Sequence, residues 1–531
     1  MPQNTFGSRK ATLASTVPTK YVNPLRDHRH MASVSSLALM LGAAGIMATT
    51  LPASAADVTW TGAISTDWFD PGNWTPVAVP GATDYANLNT LTPNPTVISG
   101  ANANALLVFV GRNAGDVGAL TISNGGTLSD SQGGVGRFAG SIGTVTVTGA
   151  GSAWLHADDF YVAAEGTGTI SILNGGLISN VRGILADSDD AVAVLSVDGS
   201  TWTNSSTLTV ASFGTGTLNI SNGGKVSDTD GTIGKGDVSN GTVSVDGTGS
   251  TWSNSGSLTV ADNGTGNLAI TNGGAVSNVT GTIGWHAGSS GTVTVDGGGS
   301  VWSNSADMVV GYYGTGALNI LNGGGVSFGT GVLGYIGGSI GSATVDGGGS
   351  NWTGGSSLYV GFNGTGTLSV SNGGTVSNAE GTIALSSGSN GVVFVEGAGS
   401  AWTNNGDLTV GGYGTGTLGI SQGGAVSDIL GHVGSLAGSA GFVLVSGAGS
   451  IWTNSSALFV GEQGTGTLTV TNGGAVNSDL GFVGYGVDSV GTVAVDGAGS
   501  KWTNSSDLFV GGGGTGKLTI SNGGAVSNAK G

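Results

Sequence analysis

Apolar and polar side chains alternate in short bursts along most of this chain. GTLNIS at 216–221 sets Leu218 and Ile220 on one side, and GTVSVD at 241–246 does the same with Val243 and Val245. A period of two marks a strand with one face turned inward. Each burst lasts four to six residues and is followed by NGG, TDG, TGS, SGS or NGTG, where Gly or Asn supplies a positive φ at little steric cost. Leu218 matches Val243, Ile220 matches Val245 and Ile233 matches Leu258, so the pattern returns after 25 residues. A second beat is twice as long. NGG stands at 124, 174, 222, 272, 322, 372, 472 and 522, with QGG at 422 keeping the place, a period of 50 apart from one 48-residue copy. Three short strands and three turns in about 25 residues describe one coil of a β-helix, a length and pattern that fit neither a propeller blade nor a leucine-rich repeat. The predicted fold is all-β: a right-handed parallel β-helix of about 25-residue coils paired into 50-residue repeats. Roughly 17 coils at about 4.8 Å each would make a rod on the order of 80 Å long.

The longer beat carries a tryptophan. VDGTGSTWSNS at 245–255 returns as VDGGGSVWSNS, VDGGGSNWTGG, VEGAGSAWTNN, VSGAGSIWTNS and VDGAGSKWTNS, placing Trp202, Trp252, Trp302, Trp352, Trp402, Trp452 and Trp502 at one position. The residue before it is Thr, Thr, Val, Asn, Ala, Ile or Lys, a variety that only a solvent-facing site accepts. Its strand neighbour then faces inward, and the matching strand of the other half-unit offers Val226, Val276 and Val376. The expected role of the Trp column is to fill the interior. With the strand faces reversed, the same column would be a ladder for stacking on carbohydrate.

Composition sharpens this picture. Gly and Pro make 116 of 531 residues, about 22%, a share that would suggest low complexity if the glycines had no period. There is no Cys, so neither a disulfide framework nor a thiolate metal site is available. Residues 1–56 hold five of the thirteen Lys and Arg and one acid, which leaves 8 basic against 30 acidic residues beyond them, a net −22. Nucleic acid and anionic lipid call for clustered Lys and Arg, so neither is an expected partner.

The ends of the chain differ from its body. RDHRH at 26–30, the apolar LALMLGAAGIM at 37–47 and the small residues of LPASAA at 51–56 read as an extended signal peptide over 1–56, cleaved after Ala55 or Ala56. The apolar run is too short to span a bilayer, which takes about 20 residues. Residues 57–105 hold Trp60, Trp68, Trp74 and five of the nine prolines, and are placed to cap the open end of a coil stack. An aromatic ligand-binding module is the alternative there. Residues 106–531 are the repeat region, which stops inside a half-unit and reads as truncated at the C-terminus.

Motifs for chemistry are few. Asp198, Asp246, Asp296, Asp346, Glu396 and Asp496 recur at one turn, with Ser446 breaking the series. Carboxylates two coils apart lie roughly 10 Å from one another, too far to share a calcium ion with bonds of about 2.5 Å. They are expected to hydrogen-bond their own turn, and Asn222 and its equivalents to form an amide ladder. GGGGTGK at 511–517 has phosphate-loop spacing, but Leu518 stands where Ser or Thr would hold magnesium. His156, His286 and His432 are scattered and join no Ser and Asp. No catalytic, cofactor-binding or metal-ligating residue is assigned, and no cofactor is expected. The irregular stretch 181–197, with Arg182, Asp187, Asp189 and Asp190, is the one place where a cleft of charged groups could form.

GTGTLTVTNGGAV at 464–476 and GTVAVDGAGSKWTNSSDLFVG at 491–511 resemble the repeat associated with type V secretion (autotransporter) and PEP-CTERM proteins, and the likeness covers residues 106–531. WTGAISTDWFDPGNWT at 60–75 likewise resembles the start of mature autotransporter passengers. The resemblance implies an exported, non-enzymatic β-helical passenger of a Gram-negative cell, at the surface or outer membrane or released outside. It would act as a stalk, adhesin or matrix component, held through a C-terminal barrel that this sequence lacks. Host or matrix glycan, protein, or another copy of the chain are the expected partners. The alternative is a secreted β-helix enzyme or carbohydrate-binding protein acting on polysaccharide.

Overall fold

In this computed structural model, which describes residues 55–530, the chain is a parallel β-solenoid. Residues 1–54, and with them nearly all of the expected signal segment, lie outside the described residues. Each coil gives one strand to each of three sheets. In one coil these are Asn240–Asp246, Thr251–Asn254 and Ser257–Val260, on what we term the long, indole and short faces. The next coil lays Thr265–Thr271, Ala275–Asn278 and Thr280–Ile283 against them. Pairing is parallel and in register, so that Gly241 meets Gly266, Val243 meets Leu268 and Val245 meets Ile270. The 25-residue period is thus the length of one coil. Among the described strands, antiparallel pairing occurs between Asp57–Trp60 and Trp74–Thr75.

Coil stacking begins inside the segment 57–105. Tyr85–Leu88 pairs with Leu107–Val110, Thr96–Ser99 with Val117–Ser123, and Asn102–Asn104 with Thr127–Asp130. Residues 85–104 therefore form the first full coil, although their prolines and loops hide the repeat pattern. Before them, Trp60, Trp68 and Trp74 are buried, with Trp74 edge-on to both others at centroid distances of 5.0 and 4.8 Å. Asn73, fully buried, ties this segment together: its Oδ1 accepts from the backbone N–H of Ile64 and Ser65, and its Nδ2 donates to Ser65 Oγ and the Asp67 carbonyl.

Inside the stack, large and small residues alternate between coils. Trp202, Trp252, Trp302, Trp352, Trp402, Trp452 and Trp502 have no exposed surface, and Trp154 joins the column with none. In register with them in the intervening coils stand Ile178, Val226 and Val276. The short face alternates in the opposite sense. Leu208 and Leu258 belong to Trp coils, whereas Gly183, Gly231 and Gly281 belong to the coils before them. These glycines make room for the indole: a Cβ on Gly183, Gly231 or Gly281 would lie 2.6, 2.7 or 2.8 Å from Cζ2 of Trp202, Trp252 or Trp302. A large side chain in one coil leans into the gap left by a small one in the coil before, which is how interiors reach close packing.

The turn between the long and indole faces shows why its sequence is so uniform. Gly247 and Gly249 both take φ +87°, a region that costs an L side chain energy. Ser250 after them is fully buried; its hydroxyl donates to the Asp246 carbonyl at 2.6 Å and accepts from the Gly223 N–H of the preceding coil at 3.1 Å. One hydroxyl therefore satisfies two backbone groups in two coils.

Candidate functional site

The geometry decides first against the sites that the repeats suggested. The Trp column is core, so it is no carbohydrate ladder, and Trp60, Trp68 and Trp74 are buried as well. Five of the six recurring acids, Asp198, Asp246, Asp296, Asp346 and Asp496, bond the next coil rather than their own turn. Asn222 Nδ2 donates to Asp198 at 2.8 Å, Asn272 and Thr271 donate to Asp246 at 2.6 Å, and Asn322 and Asn372 donate to Asp296 and Asp346. The NGG asparagines thus step from coil to coil onto a carboxylate or, at Asn124 and Asn174, a hydroxyl, in place of an amide ladder, because their φ near +50° turns the amide that way. Ser446 keeps this role, accepting from Asn472 at 3.1 Å. Hydrogen bonds from Thr271 and Asn272 hold the Asp246 carboxyl below the usual range.

The charged stretch 181–197 does not gather into a cleft. Arg182 pairs with Asp159, with Nε 2.8 Å from Oδ1, and Asp189 and Asp190 are exposed in a turn. Burial raises the Asp187 carboxyl despite a hydrogen bond from Ser212. Among the described residues, no three His, Cys, Asp or Glu are placed to hold a metal ion. Two shallow depressions on the indole face, one around Gly325 and one around Gly176, are lined by no titratable side chain.

The structure does bring His432, Ser435 and Glu462 together, a grouping that their spacing concealed. His432 Nδ1 and Ser435 Oγ both reach Glu462 Oε2 at 2.8 Å. Serine and histidine are joined through the carboxylate and not to each other, so the chain of contacts needed to activate a serine nucleophile is not made. Burial opposes charging of both groups, but their mutual bond prevails: His432 is raised and Glu462 lowered.

What distinguishes the exterior is aromatic. Of the twelve tryptophans, Trp285 alone lies outside the core, at the corner where the short face turns into the long one. The same corner position holds Tyr312, Tyr335 and Phe362 in the next three coils, because the preceding Gly284, Gly311, Gly334 and Gly361 all adopt φ of +70° to +79° and aim it outward. Trp285 stacks on Tyr312 at 4.8 Å and 9°, Tyr312 meets Tyr335 at 4.8 Å, and Tyr335 meets Phe362 at 5.1 Å. Tyr313 adjoins Tyr312 and is 47% exposed, and Tyr359 packs edge-on against Phe362. A second column runs down the outside of the short face. His432, Phe459, Phe482 and Phe509 stack nearly parallel at 5.5, 4.7 and 5.1 Å.

These separations match the rise of one coil, about 4.8 Å, so each ring covers its neighbour's face. Edges and tyrosine hydroxyls are left toward solvent. Burial, followed by Tyr335 and Tyr313, raises the Tyr312 phenol, which keeps it a neutral hydrogen-bond donor. Such a surface offers apolar edges and hydroxyls side by side, as contact residues in binding sites do. The alternation pattern in the sequence could not reveal the corner, since Trp285, Tyr312, Tyr335 and Phe362 sit in turns.

No known family model matches the chain, and no curated protein matches it. Among solved structures, the chain is similar to the TibC-catalyzed hyper-glycosylated TibA55-350 fragment at 19% identity and a TM-score of 0.38, over 63% of this chain and 94% of that one. A likeness of that size says nothing of activity.

Proposed function

We propose that this protein is an exported, non-enzymatic surface rod of the autotransporter-passenger kind, a stalk or adhesin that makes its contacts through the aromatic corner at Trp285, Tyr312, Tyr313, Tyr335 and Phe362. The observation that carries the reading is the division of labour between inside and outside. The repeat keeps its interior constant, while this corner is aromatic in four consecutive coils and elsewhere varies among residues such as Arg137, Asp187, Lys235, Leu385, Gly412 and Glu462. A run of half-buried aromatics with the exposed Tyr313 beside it, on a rigid scaffold, is the usual mark of a contact surface. Partners of this chemistry are glycan or protein surfaces with both apolar and hydrogen-bonding groups.

The test is binding of purified residues 57–531 to intact cells and to immobilised polysaccharide and matrix protein, comparing the native chain with a Trp285→Ala, Tyr312→Ala, Tyr335→Ala variant. Loss of binding by at least tenfold with unchanged circular dichroism supports the corner as the contact surface. Binding that persists unchanged moves the contact elsewhere on the rod. Turnover of any polysaccharide tested would overturn the non-enzymatic assignment.

A further inference from the structure

Behind the Trp column, the indole face carries a line of buried polar side chains with a fixed grammar. Asn180, Asn278 and Asn378 accept from Nε1 of Trp202, Trp302 and Trp402 at 2.7 Å. Each then donates its Nδ2–H to Oδ1 of the next coil's Asn204, Asn304 or Asn404, at 2.6 to 2.7 Å. Ser478 does the same with one hydroxyl, accepting from Trp502 at 3.0 Å and donating to Asn504 at 2.7 Å. The position requires an acceptor for the indole and a donor for the asparagine.

In two repeats it is occupied by aspartate. Asp228 Oδ2 and Asp428 Oδ2 accept from Trp252 and Trp452, both at 2.6 Å, so the indole is served. The other oxygen stands where the donor should be. Asp228 Oδ1, Asn254 Oδ1, Asp428 Oδ1 and Asn454 Oδ1 are all buried without a partner. Turning the amides does not resolve the conflict. Nδ2 of Asn254 and Asn454 points to the backbone carbonyls of Ser277 and Asn477 at 3.4 and 3.3 Å, as Asn204 and Asn304 point to Ser227 and Ser327. A flip would set oxygen against oxygen there.

We propose that Asp228 and Asp428 are neutral carboxylic acids in the folded protein, each donating its Oδ1 proton to Oδ1 of Asn254 or Asn454, and that their ionisation as the pH rises loosens the solenoid at these two coils. A protonated carboxyl has the donor and acceptor of an amide in nearly the same shape, so the grammar of the column is restored. Asp130, at the equivalent position, is the contrast: both its oxygens have partners, Trp154 Nε1 at 2.9 Å and His156 Nδ1 at 2.5 Å. Burial pushes Asp228 and Asp428 up to about 7 against the pull of their indole hydrogen bonds. Asp230 adds to the rise at Asp228; at Asp428, His432 opposes it and Asp407 adds to it. A carboxyl raised in the folded state stabilises fully below its unfolded value, near 3.8, and that stability is lost as the pH climbs through about 7.

Hydrogen exchange on the intact chain reads this coil by coil, with the Asn378–Asn404 coil as internal control. After correction for intrinsic exchange, protection around residues 226–233 and 426–433 should match that around 376–383 at about pH 5 and fall below it by tenfold or more at about pH 8. The Asp228→Asn, Asp428→Asn variant should abolish the difference. Equal protection at both pH values, or a loss that persists in the variant, overturns the proposal. Should the variant not fold, infrared difference spectra of the native chain decide: a protonated-carboxyl band at about pH 6 that vanishes by about pH 8.5 supports it, and its absence at both overturns it.

Discussion

Two neighbouring repeats solve one packing problem in opposite ways. Around Trp302, Asn278 and Asn304 supply a buried polar chain that satisfies the indole N–H. Around Trp352 the equivalent residues are Phe328 and Gly354: the phenyl ring, 5.0 Å from the indole, takes the space of both amides, and the Trp352 N–H has no partner. The change is concerted, since a Cβ on Gly354 would collide with the Phe328 ring. Backbone register is unaffected, with Trp352 opposite Val326 and Val376 as Trp302 is opposite Val276 and Val326. Volume is therefore the requirement of the fold at this site. Polar pairing is one way of meeting it, at the cost in the other repeat of a single unpaired N–H.

Removing the indole has the largest expected effect. Trp302→Ala should cost about 3–5 kcal/mol, and Trp352→Ala less, because only the first also strands the oxygen of Asn278. Denaturant unfolding of the two variants side by side checks the order. Gly354→Asn alone should cost about 1–3 kcal/mol by overpacking, while in a Phe328→Asn background, where the new amide already serves the Trp352 N–H, it should become favourable by forming the missing amide pair. A double-mutant cycle measures that coupling, and additive costs would refute the compensation. Asn278→Ala should cost about 1–3 kcal/mol, because it leaves the Trp302 N–H unpaired, as that of Trp352 already is, and strands the Asn304 oxygen besides. The smallest effect lies outside the core. Asp246, held below its usual range by Thr271 and Asn272, stabilises above its unfolded value, and that contribution fades as the pH falls through the folded one. Asp246→Asn should flatten the acid limb of thermal unfolding by a few degrees at most, opposite in sign to the interior acids.

Much of this was legible in the sequence, for reasons that also mark where legibility stops. Leu218, Ile220, Val243 and Val245 announce their facing by alternation, and the freely varying neighbours of the Trp column announce that Trp252 turns inward. The partner of the indole was not legible, because Gly231 comes from the coil before and from another face. Asp246 resembles a turn-capping residue, and only the stacking of coils shows its bond reaching Asn272. The corner aromatics follow no strand period. His432 and Glu462 stand in adjoining coils, a distance along the chain at which ordinary motif spacing carries no information. Asp228 differs from Asn278 by one atom type, and its meaning emerged only from the atoms left unpaired around it.

The fit between each indole and the glycine before it sets the quantum in which the array can change length. Removing or inserting one coil would bring Trp against Trp and glycine against glycine, a collision on one side and a void on the other. Removing or inserting two restores every contact. Gene duplication and unequal crossing-over are thus confined to steps of 50 residues, and the protein can be lengthened or shortened like a chain with double links, its lateral surface rewritten at each step while the joint stays the same.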